Sequence, residues 1–393
     1  MNLLLYSHYW TPSVGGVESI TMSLAEGLAK WPPVPGGDLI RITVVTQTLA
    51  GVMDDSLLPF RVVRRPALRD LIRLIRTTDI VQVAGPALLP LVLAILFRKP
   101  VVVEHHGFQA ICPNGQLLFQ PVQAPCPGHF MARRYHKCLA CNRKSVGPAK
   151  SLSMLLLTPL RRWLSNRATM NITPTDWLAT MLRLNRMKSI YHGISPTPPV
   201  IAVKASVVTF AFQGRLVTTK GLRVLLEAAA QLHEEGRKFH LKIVGDGPEM
   251  NSTKAQAAPL NGRVEFLGHV ADHRLDEVFS DVAAVVMPSL AGEVFGLVAV
   301  ENMLRGKLLI VSDIGALAEV VGDTGLVFPA GDAAALALCM RRVLDDPSLA
   351  VSLGSAARLR AVQMFNRDSM IQQHVSLYRE VSVRGGRVET PNV

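Results

Sequence analysis

Two doubly wound α/β domains, each a mostly parallel sheet with helices on both faces, are the fold class the sequence predicts. Three observations carry this. The chain has 393 residues, and at roughly 100–200 residues per domain that length calls for two domains. Short β-rich apolar runs alternate with helical stretches, and strands apolar on both sides separated by helices form parallel sheets covered on both faces. The alternation is interrupted once, at Gly193-Ile194-Ser195-Pro196-Thr197-Pro198-Pro199, where three prolines in four residues make a stiff connector.

Before the connector, strands are predicted over residues 3–6, 40–46, 60–63, 79–83, 100–104, 168–173 and 188–191. Helices are predicted between them over residues 18–30, 67–76, 87–97, 151–165 and 176–184. After it, the strands are 207–212, 240–244, 263–266, 282–287, 308–312 and 326–328, with helices over 220–235, 275–280, 295–305, 333–344 and 348–364. A last amphipathic segment, 369–381, precedes a polar Gly-Gly tail expected to fray. The expected organisation is an N-terminal domain over 1–193 with a Cys-bearing insertion at about 108–145, and a linker over 194–204. A C-terminal domain over 205–367 follows, then a terminal helix, open to packing back on the N-terminal domain, and a tail over 368–393. Ligands of open α/β sheets bind beyond the carboxyl ends of the strands. Two such domains facing each other across a cleft suit a transferase with separate donor and acceptor sites.

Composition excludes several classes. Apolar residues are 49% and charged residues 18%, unlike a disordered chain. No Gly-x-y or heptad period is visible, so collagen and coiled coil are out. The start, Met1-Asn2-Leu3-Leu4-Leu5-Tyr6, lacks the basic and long apolar regions of a signal peptide. The longest uncharged run, 80–97, contains Gln82, Gly85, Pro86 and Pro90 and reads as a strand then a helix rather than a membrane span. Five cysteines fit a reducing compartment, and a cytoplasmic location is expected. The net charge of +12 is uneven: residues 1–200 hold 22 Lys+Arg against 9 Asp+Glu, the remainder 20 against 21. That asymmetry points to an anionic partner for the N-terminal half, with a solubilising surface as the alternative.

The residues that carry chemistry sit at strand ends. Gly15-Gly16-Val17-Glu18 lies just before the first helix, where glycines let backbone N–H groups approach a ligand and the helix N-terminus favours anions. It is not a Gly-x-Gly-x-x-Gly fingerprint, which argues against a simple dinucleotide dehydrogenase. Glu104-His105-His106-Gly107 ends the strand at 100–104. In the second domain Gly214-Arg215 and Lys220-Gly221 flank a loop entering a helix, where Arg offers a planar fork and Lys a point charge to phosphate. Gly245-Asp246-Gly247-Pro248 is a tight turn into a helix, sufficient as structure alone. In Gly292-Glu293-Val294-Phe295-Gly296-Leu297, Gly296 and Leu297 begin a helix with free N–H groups. Glu301 lies within that apolar helix, where a carboxylate needs a partner: sugar hydroxyls, or a basic neighbour.

As an ordered set over roughly residues 1–365, these motifs resemble the retaining glycosyltransferases of family four, of the GT-B fold, with Glu293 and Glu301 in the Glu-x7-Glu spacing. The resemblance implies an acceptor-side N-terminal domain and a donor domain after the linker. It implies that Arg215 and Lys220 hold the donor diphosphate and stabilise the leaving group. Glu301 would bind the donor ribose, Glu293 the transferred sugar, and His106 would line the reaction centre. Gly15, Gly16, Gly245, Phe295, Gly296 and Leu297 complete the implied donor site. The co-substrate would be a UDP- or GDP-linked sugar, with no catalytic metal, and the acceptor a lipid-linked glycan, polysaccharide or other glycoconjugate. Polysaccharide, lipopolysaccharide or glycolipid biosynthesis is the implied setting. The chain departs from the family pattern at Tyr191-His192-Gly193, at Thr175 and at Val294.

Two features stand apart. Cys112, Cys126, Cys138 and Cys141 are spaced C-x13-C-x11-C-x2-C in a segment expected to be an irregular loop. Structural zinc is the expected reading; unligated thiols, an iron–sulfur centre or disulfides are its alternatives. Next to them, residues 133–188 hold 12 Lys+Arg and one acid, Asp176, with apolar bulk at 154–157 and Trp163. That tract reads as an anionic membrane surface contact, hence peripheral association with the inner face of the membrane, or as a solvated helix. A nucleic-acid-binding protein is the weaker reading, because aromatics are only 6% and the second domain's motifs would go unexplained. A GT-B-fold isomerase or phosphorylase on sugar phosphates remains the other alternative.

Overall fold

The computed structural model describes residues 1–11, 15–32, 39–51, 54–200 and 207–386. Residues 12–14 of the first glycine loop, 201–206 of the expected linker and donor-domain start, and 387–393 of the expected tail lie outside the described residues. The chain divides into two compact units.

The first unit comprises Met1–Gly115, Gly128–Gly193 and Arg367–Val393. Its strands are β1 (Asn2–Ser7), β2 (Arg41–Thr46), β3 (Arg61–Arg64), β4 (Ile80–Ala84) and β5 (Val101–Glu104). After a short pair in the second unit, β6 (Leu118–Phe119) and β7 (Ala124–Pro125), come β8 (Met170–Thr173) and β9 (Met187–Ser189). The seven strands run in the order β3-β2-β1-β4-β5-β8-β9, and every pairing is parallel. Leu3 of β1 pairs with Ile42 on one side and Ile80 on the other. Leu3, Leu4 and Leu5 are all buried, because helices cover both faces and a strand in that position needs apolar residues at consecutive positions. The helices are α1 (Gly16–Ala29), α2 (Leu68–Thr77), α3 (Leu88–Leu96), α4 (Tyr135–Val146), α5 (Pro148–Ser165) and α6 (Asp176–Leu182).

The second unit comprises Gln116–Pro127 and Ile194–Asn366. It holds β10 (Thr209–Gln213), α7 (Leu222–Glu234), β11 (His240–Val244), α8 (Met250–Ala257), β12 (Val264–Gly268), α9 (Asp272–Val278) and β13 (Val282–Met287). There follow α10 (Leu297–Leu304), β14 (Leu308–Ser312), α11 (Leu317–Val321), β15 (Leu326–Phe328), α12 (Ala333–Asp345) and α13 (Ser348–Met364). The last helix, α14 (Arg367–Gly386), belongs to the first unit, where Arg367 Nε donates to Ser23 Oγ at 2.7 Å. The second sheet is also parallel, in the order β12-β11-β10-β13-β14-β15. Its core is formed by Phe210, Phe212, Leu225, Leu241, Ile243 and Val286 with their neighbours.

Both sheets reverse their strand order at one point, between β1 and β4 and between β10 and β13. Crossovers leave such a point in opposite directions, so the loops at its carboxyl end splay apart and leave room for a ligand. The loops after β10 and β13 carry Arg215, Lys220 and Glu293, and helix α10, which follows the second of them, carries Glu301.

The structure corrects one expectation: the Cys-bearing segment is not irregular throughout. Residues 129–146 contain neither Pro nor Gly, and α4 forms there, ending where Gly147 takes φ +81. The Pro- and Gly-bearing stretch before it forms only the two-residue strands β6 and β7. Within it, Gln116–Pro127 groups with the second unit, and Leu118 joins that unit's apolar core.

Candidate active site

In the second unit, glycines let the loops after β10, β11 and β13 approach one another. A Cβ on Gly245 (φ +130) would fall 1.9 Å from Gly214 O, and one on Gly221 (φ +67) would fall 1.8 Å from Pro288 O. Neither position tolerates a side chain, so the backbone of β10's loop lies directly against the loops of its two neighbours. The Gly245 motif is therefore a close-packing device.

That packing brings Lys220 to Glu293. Lys220 Nζ donates to Glu293 Oε1 at 2.5 Å, and Ser289 Oγ donates to the same oxygen at 2.8 Å. The Glu293 side chain is 7% exposed and that of Lys220 30%. The loop is anchored from the other side by Ala316, whose N–H donates to Glu293 O at 3.2 Å. Arg215 is exposed just beyond β10. Nearby, Thr218 Oγ1 donates to Glu249 Oε1.

Glu301 lies on α10, one turn into the helix. Burial pushes its carboxyl up, against the opposing charge of Arg305. It accepts from Gln213 Nε2 at 3.5 Å, and Gln213 Oε1 in turn accepts from Asn302 Nδ2 at 2.8 Å. The basic neighbour Arg305 is engaged elsewhere, with Asp276 at 2.9 Å. Gly296 caps α10 with φ +96, and Leu297 is its first residue, so the N-terminus of the helix follows the loop that holds Glu293. The Phe295 side chain is 2% exposed, with its ring edge-on to Phe365 at 5.4 Å, so the ring packs into the second unit.

In the first unit, His106 follows β5 within a buried polar cluster. Glu104 Oε2 accepts from Gln82 Nε2 at 2.6 Å and lies 3.7 Å from His106 Nε2; Glu104 Oε1 lies 3.9 Å from His192 Nδ1. Tyr378 of α14 donates to Gln82 Oε1 at 2.6 Å, completing a chain from α14 through Gln82 to Glu104. Burial alone would raise the Glu104 carboxyl; the charge and hydrogen bond of His106, with His374 and His192 behind it, outweigh burial and hold it below the usual carboxylate range. His192 is pushed down to about 3, first by burial and then by His106, and His374 is also lowered by burial. His105, the other half of the pair, turns away. Its Nε2 meets Asn171 Oδ1 at 2.9 Å, and burial lowers it to about 4, so it is a neutral core residue.

Glu104, His106 and His192 bring three ligand atoms within 4.8 Å of one another. The two imidazoles are stacked, 5.3 Å apart and 23° from parallel. A metal binds a ring nitrogen in the plane of its ring, and two stacked rings are poorly disposed to share one ion. The donor set fits a carboxylate–imidazole cluster better than a metal centre.

Gly15 is the N-cap of α1 in extended conformation, φ −164, and Gly16 is the first helical residue. Cys138 and Cys141 lie one turn apart on α4, both buried, as is Cys112. Asn114 links two of them: Cys112 Sγ lies 3.0 Å from its Oδ1, and its Nδ2 lies 3.6 Å from Cys141 Sγ. Cys126 belongs to the segment grouped with the second unit.

Sequence reasoning missed Gln213, Ser289 and Asn302 around the two glutamates, and Gln82, His192 and Tyr378 around His106. Gln82, on a buried strand, was the one legible signal, since a buried amide needs partners.

The two parallel-sheet units match the GT-B fold of solved glycosyltransferase structures. Residues 200–360 match the family model described as glycosyl transferases group 1. Among curated relatives it is similar to the 2-deoxystreptamine glucosyltransferase of Streptomyces kanamyceticus, at 28% identity over 60% of this chain and 67% of that protein. It is also similar to the phosphatidyl-myo-inositol mannosyltransferase of Mycobacterium leprae, at 33% identity over 46% of this chain and 49% of that protein. Among solved structures, Anabaena Alr3699/HepE in complex with UDP-glucose matches with a TM-score of 0.70 at 19% identity, covering 97% of this chain and all of that one (100%).

Proposed function

We propose that the chain is a retaining glycosyltransferase that moves a hexosyl unit from a nucleotide sugar to a lipid-linked, polysaccharide or other glycoconjugate acceptor. The observation that carries this is the contact between Lys220 and Glu293, which joins the loops after β10 and β13 at the switch point of the second sheet. A cation there, with Arg215 beside it and the N-terminus of α10 open, suits a diphosphate whose negative charge grows as it leaves. These groups, rather than a catalytic metal, stabilise the departing nucleotide. Glu301, whose carboxyl is raised by burial, takes the donor ribose hydroxyls, with Gln213 holding its orientation. Glu293 contacts hydroxyls of the transferred sugar; by the family resemblance His106 would line the reaction centre, and Gly15 and Gly16 would approach the donor phosphates or the acceptor. The glucosyl- and mannosyltransferase relatives favour a hexosyl donor, and the UDP-glucose complex of the structural neighbour favours a UDP-linked one over its GDP-linked alternative.

The test is a panel of UDP- and GDP-sugars scored by thermal stabilisation, then by transfer. A ligand at a hundredfold excess over its Kd adds about 2.7 kcal/mol, or about 5–10 °C for a domain of this size. Glu301→Ala lowers nucleotide affinity, whereas Glu293→Ala lowers turnover more than affinity. If no nucleotide sugar stabilises the protein, the reading fails.

For the cysteines we propose a structural zinc. Buried thiols at Cys112, Cys138 and Cys141 in the first unit, two of them linked through Asn114, support it, together with the Cys-x2-Cys spacing of Cys138 and Cys141. Protein purified under reducing conditions without chelator then contains about one zinc per chain by elemental analysis; no metal leaves the unligated-thiol reading.

A further inference from the structure

Helix α10 buries Ala299, Val300, Met303 and Leu304, and with these apolar residues it buries an amide, Asn302, which is 0% exposed. A buried amide costs stability unless its groups are paired. Asn302 Nδ2 donates to Val298 O at 2.9 Å and to Gln213 Oε1 at 2.8 Å. Its Oδ1 is buried with no partner among the described residues. A leucine is close to asparagine in shape and would fill this space without an orphaned acceptor. Stability therefore does not explain Asn302. Val298 lies one turn back on the same helix, so the bond to Gln213 is what Asn302 contributes beyond its own helix.

That bond has a direction. Asn302 cannot turn its amide over, because Oδ1 would then face two carbonyl oxygens. Gln213 Oε1 must accept, so the Gln213 amide presents its NH2 group to Glu301 Oε2, 3.5 Å away. Gln213 is the last residue of β10, and Glu301 and Asn302 are consecutive on α10, so one amide reaches both. A reversed Gln213 would set an oxygen against the carboxylate and repel it. Burial raises the Glu301 carboxyl; Arg305 opposes that, Asp272 adds to it, and the Gln213 N–H opposes it. Gln213 is thus a neutral group that favours the ionised carboxylate, provided its amide keeps this orientation.

We propose that Asn302 is a positioning residue for the nucleotide site: acting through Gln213, it fixes which end of that amide meets Glu301, and so sets the carboxylate to accept from the vicinal hydroxyl groups of a ribose. This rests on the reading of Glu301 as the ribose contact and adds the two amides that orient it. The two neighbours have different tasks. Gln213 holds one carboxylate oxygen, and Asn302 holds Gln213 in the donating orientation. The ligand class that follows is a ribonucleotide in preference to its 2′-deoxy counterpart, because the second hydroxyl is a donor that the oriented carboxylate is set to receive.

Calorimetric titration with UDP, GDP and their 2′-deoxy counterparts tests it, with the ratio of ribo to deoxy affinity as the readout. The wild type prefers the ribonucleotide about tenfold or more, as expected of a hydrogen bond to a charged group, and Glu301→Ala abolishes the preference. Asn302→Leu keeps or raises Tm, since the orphaned oxygen is gone and the half-buried Gln213 can turn its own toward water. It nevertheless cuts the preference about fivefold, the worth of one hydrogen bond. Gln213→Glu still accepts from Asn302 but sets a second carboxylate against Glu301, and it loses the preference altogether. A wild type that binds neither UDP nor GDP, or binds ribo and deoxy forms equally, overturns the Glu301 reading and the proposal with it. A wild-type preference retained in full by Asn302→Leu or by Gln213→Glu overturns the proposal alone. So does an Asn302→Leu variant that loses Tm and weakens on both nucleotide forms alike, which makes Asn302 a purely structural residue.

Discussion

Lys220→Met and Glu293→Gln, made singly and together, form a cycle on the contact that joins the two donor-side loops. Removing one partner of a fully buried ion pair costs about 3–5 kcal/mol, because the other charge is stranded. Here Glu293 is buried but the Lys220 side chain is 30% exposed, and Ser289 still donates to the carboxylate at 2.8 Å. Solvent screening reduces the figure, and we take about 2 kcal/mol for Lys220→Met. For a domain of this size that is a fall in Tm of about 4–8 °C. Glu293→Gln keeps an oxygen for Ser289 and strands no anion, so it costs about 1 kcal/mol. The double variant loses little beyond Lys220→Met alone, because the stranded anion is gone. Denaturant and thermal unfolding read the coupling directly. A saturating nucleoside diphosphate, which competes with Glu293 for the ammonium, shrinks it. Single effects that add to within about 0.5 kcal/mol would refute the claim that this contact organises the site.

Arg215→Ala separates chemistry from folding at the same site. The side chain is exposed, so Tm is unchanged while kcat falls about 100-fold or more, the usual loss for one stabilising group on a leaving anion; unchanged kcat argues against its role. Tyr378→Phe removes the hydroxyl that meets Gln82 at 2.6 Å and costs about 1–2 kcal/mol by leaving a buried amide oxygen unpaired, read by urea unfolding. The first unit also loses stability on acidification. His192 and His105 sit at about 3 and about 4 when folded but near 6.5 when unfolded. Between those values the unfolded chain binds more protons, so their contribution is complete above about pH 6.5 and is lost as pH falls to about 4 for His105 and about 3 for His192. His192→Gln reduces that slope by about one proton, or about 1.4 kcal/mol per pH unit; an unchanged slope would show that His192 is charged in the fold.

Much of the architecture is legible in the sequence. Runs such as Leu3–Leu4–Leu5 and Leu308–Leu309–Ile310 have no polar face, and only a strand buried on both sides accommodates them. The loop residues were legible as types: glycines where backbones meet, cations and glutamates at strand ends. The misreading of residues 129–146 had a definite cause, since the prolines and glycines upstream were extended to a stretch that contains none.

The sequence by itself determined two parallel α/β units and the loops in which chemistry would sit, because periodicity and the absence of side chains at glycine are local properties. Tertiary structure alone decided the partners. Lys220 and Glu293 are 73 positions apart and Tyr378 and Gln82 are 296 apart, and one sequence carries no record of which distant polar groups share a buried space. It also decided between neighbours of like type. His105 turned into the core toward Asn171 while His106 faced Glu104, and Arg162 closed on backbone carbonyls while Arg143 stayed in solvent. Charge and residue type are written along the chain; burial, which sets the energy of a charge and the availability of its hydrogen bonds, arises only when the elements pack.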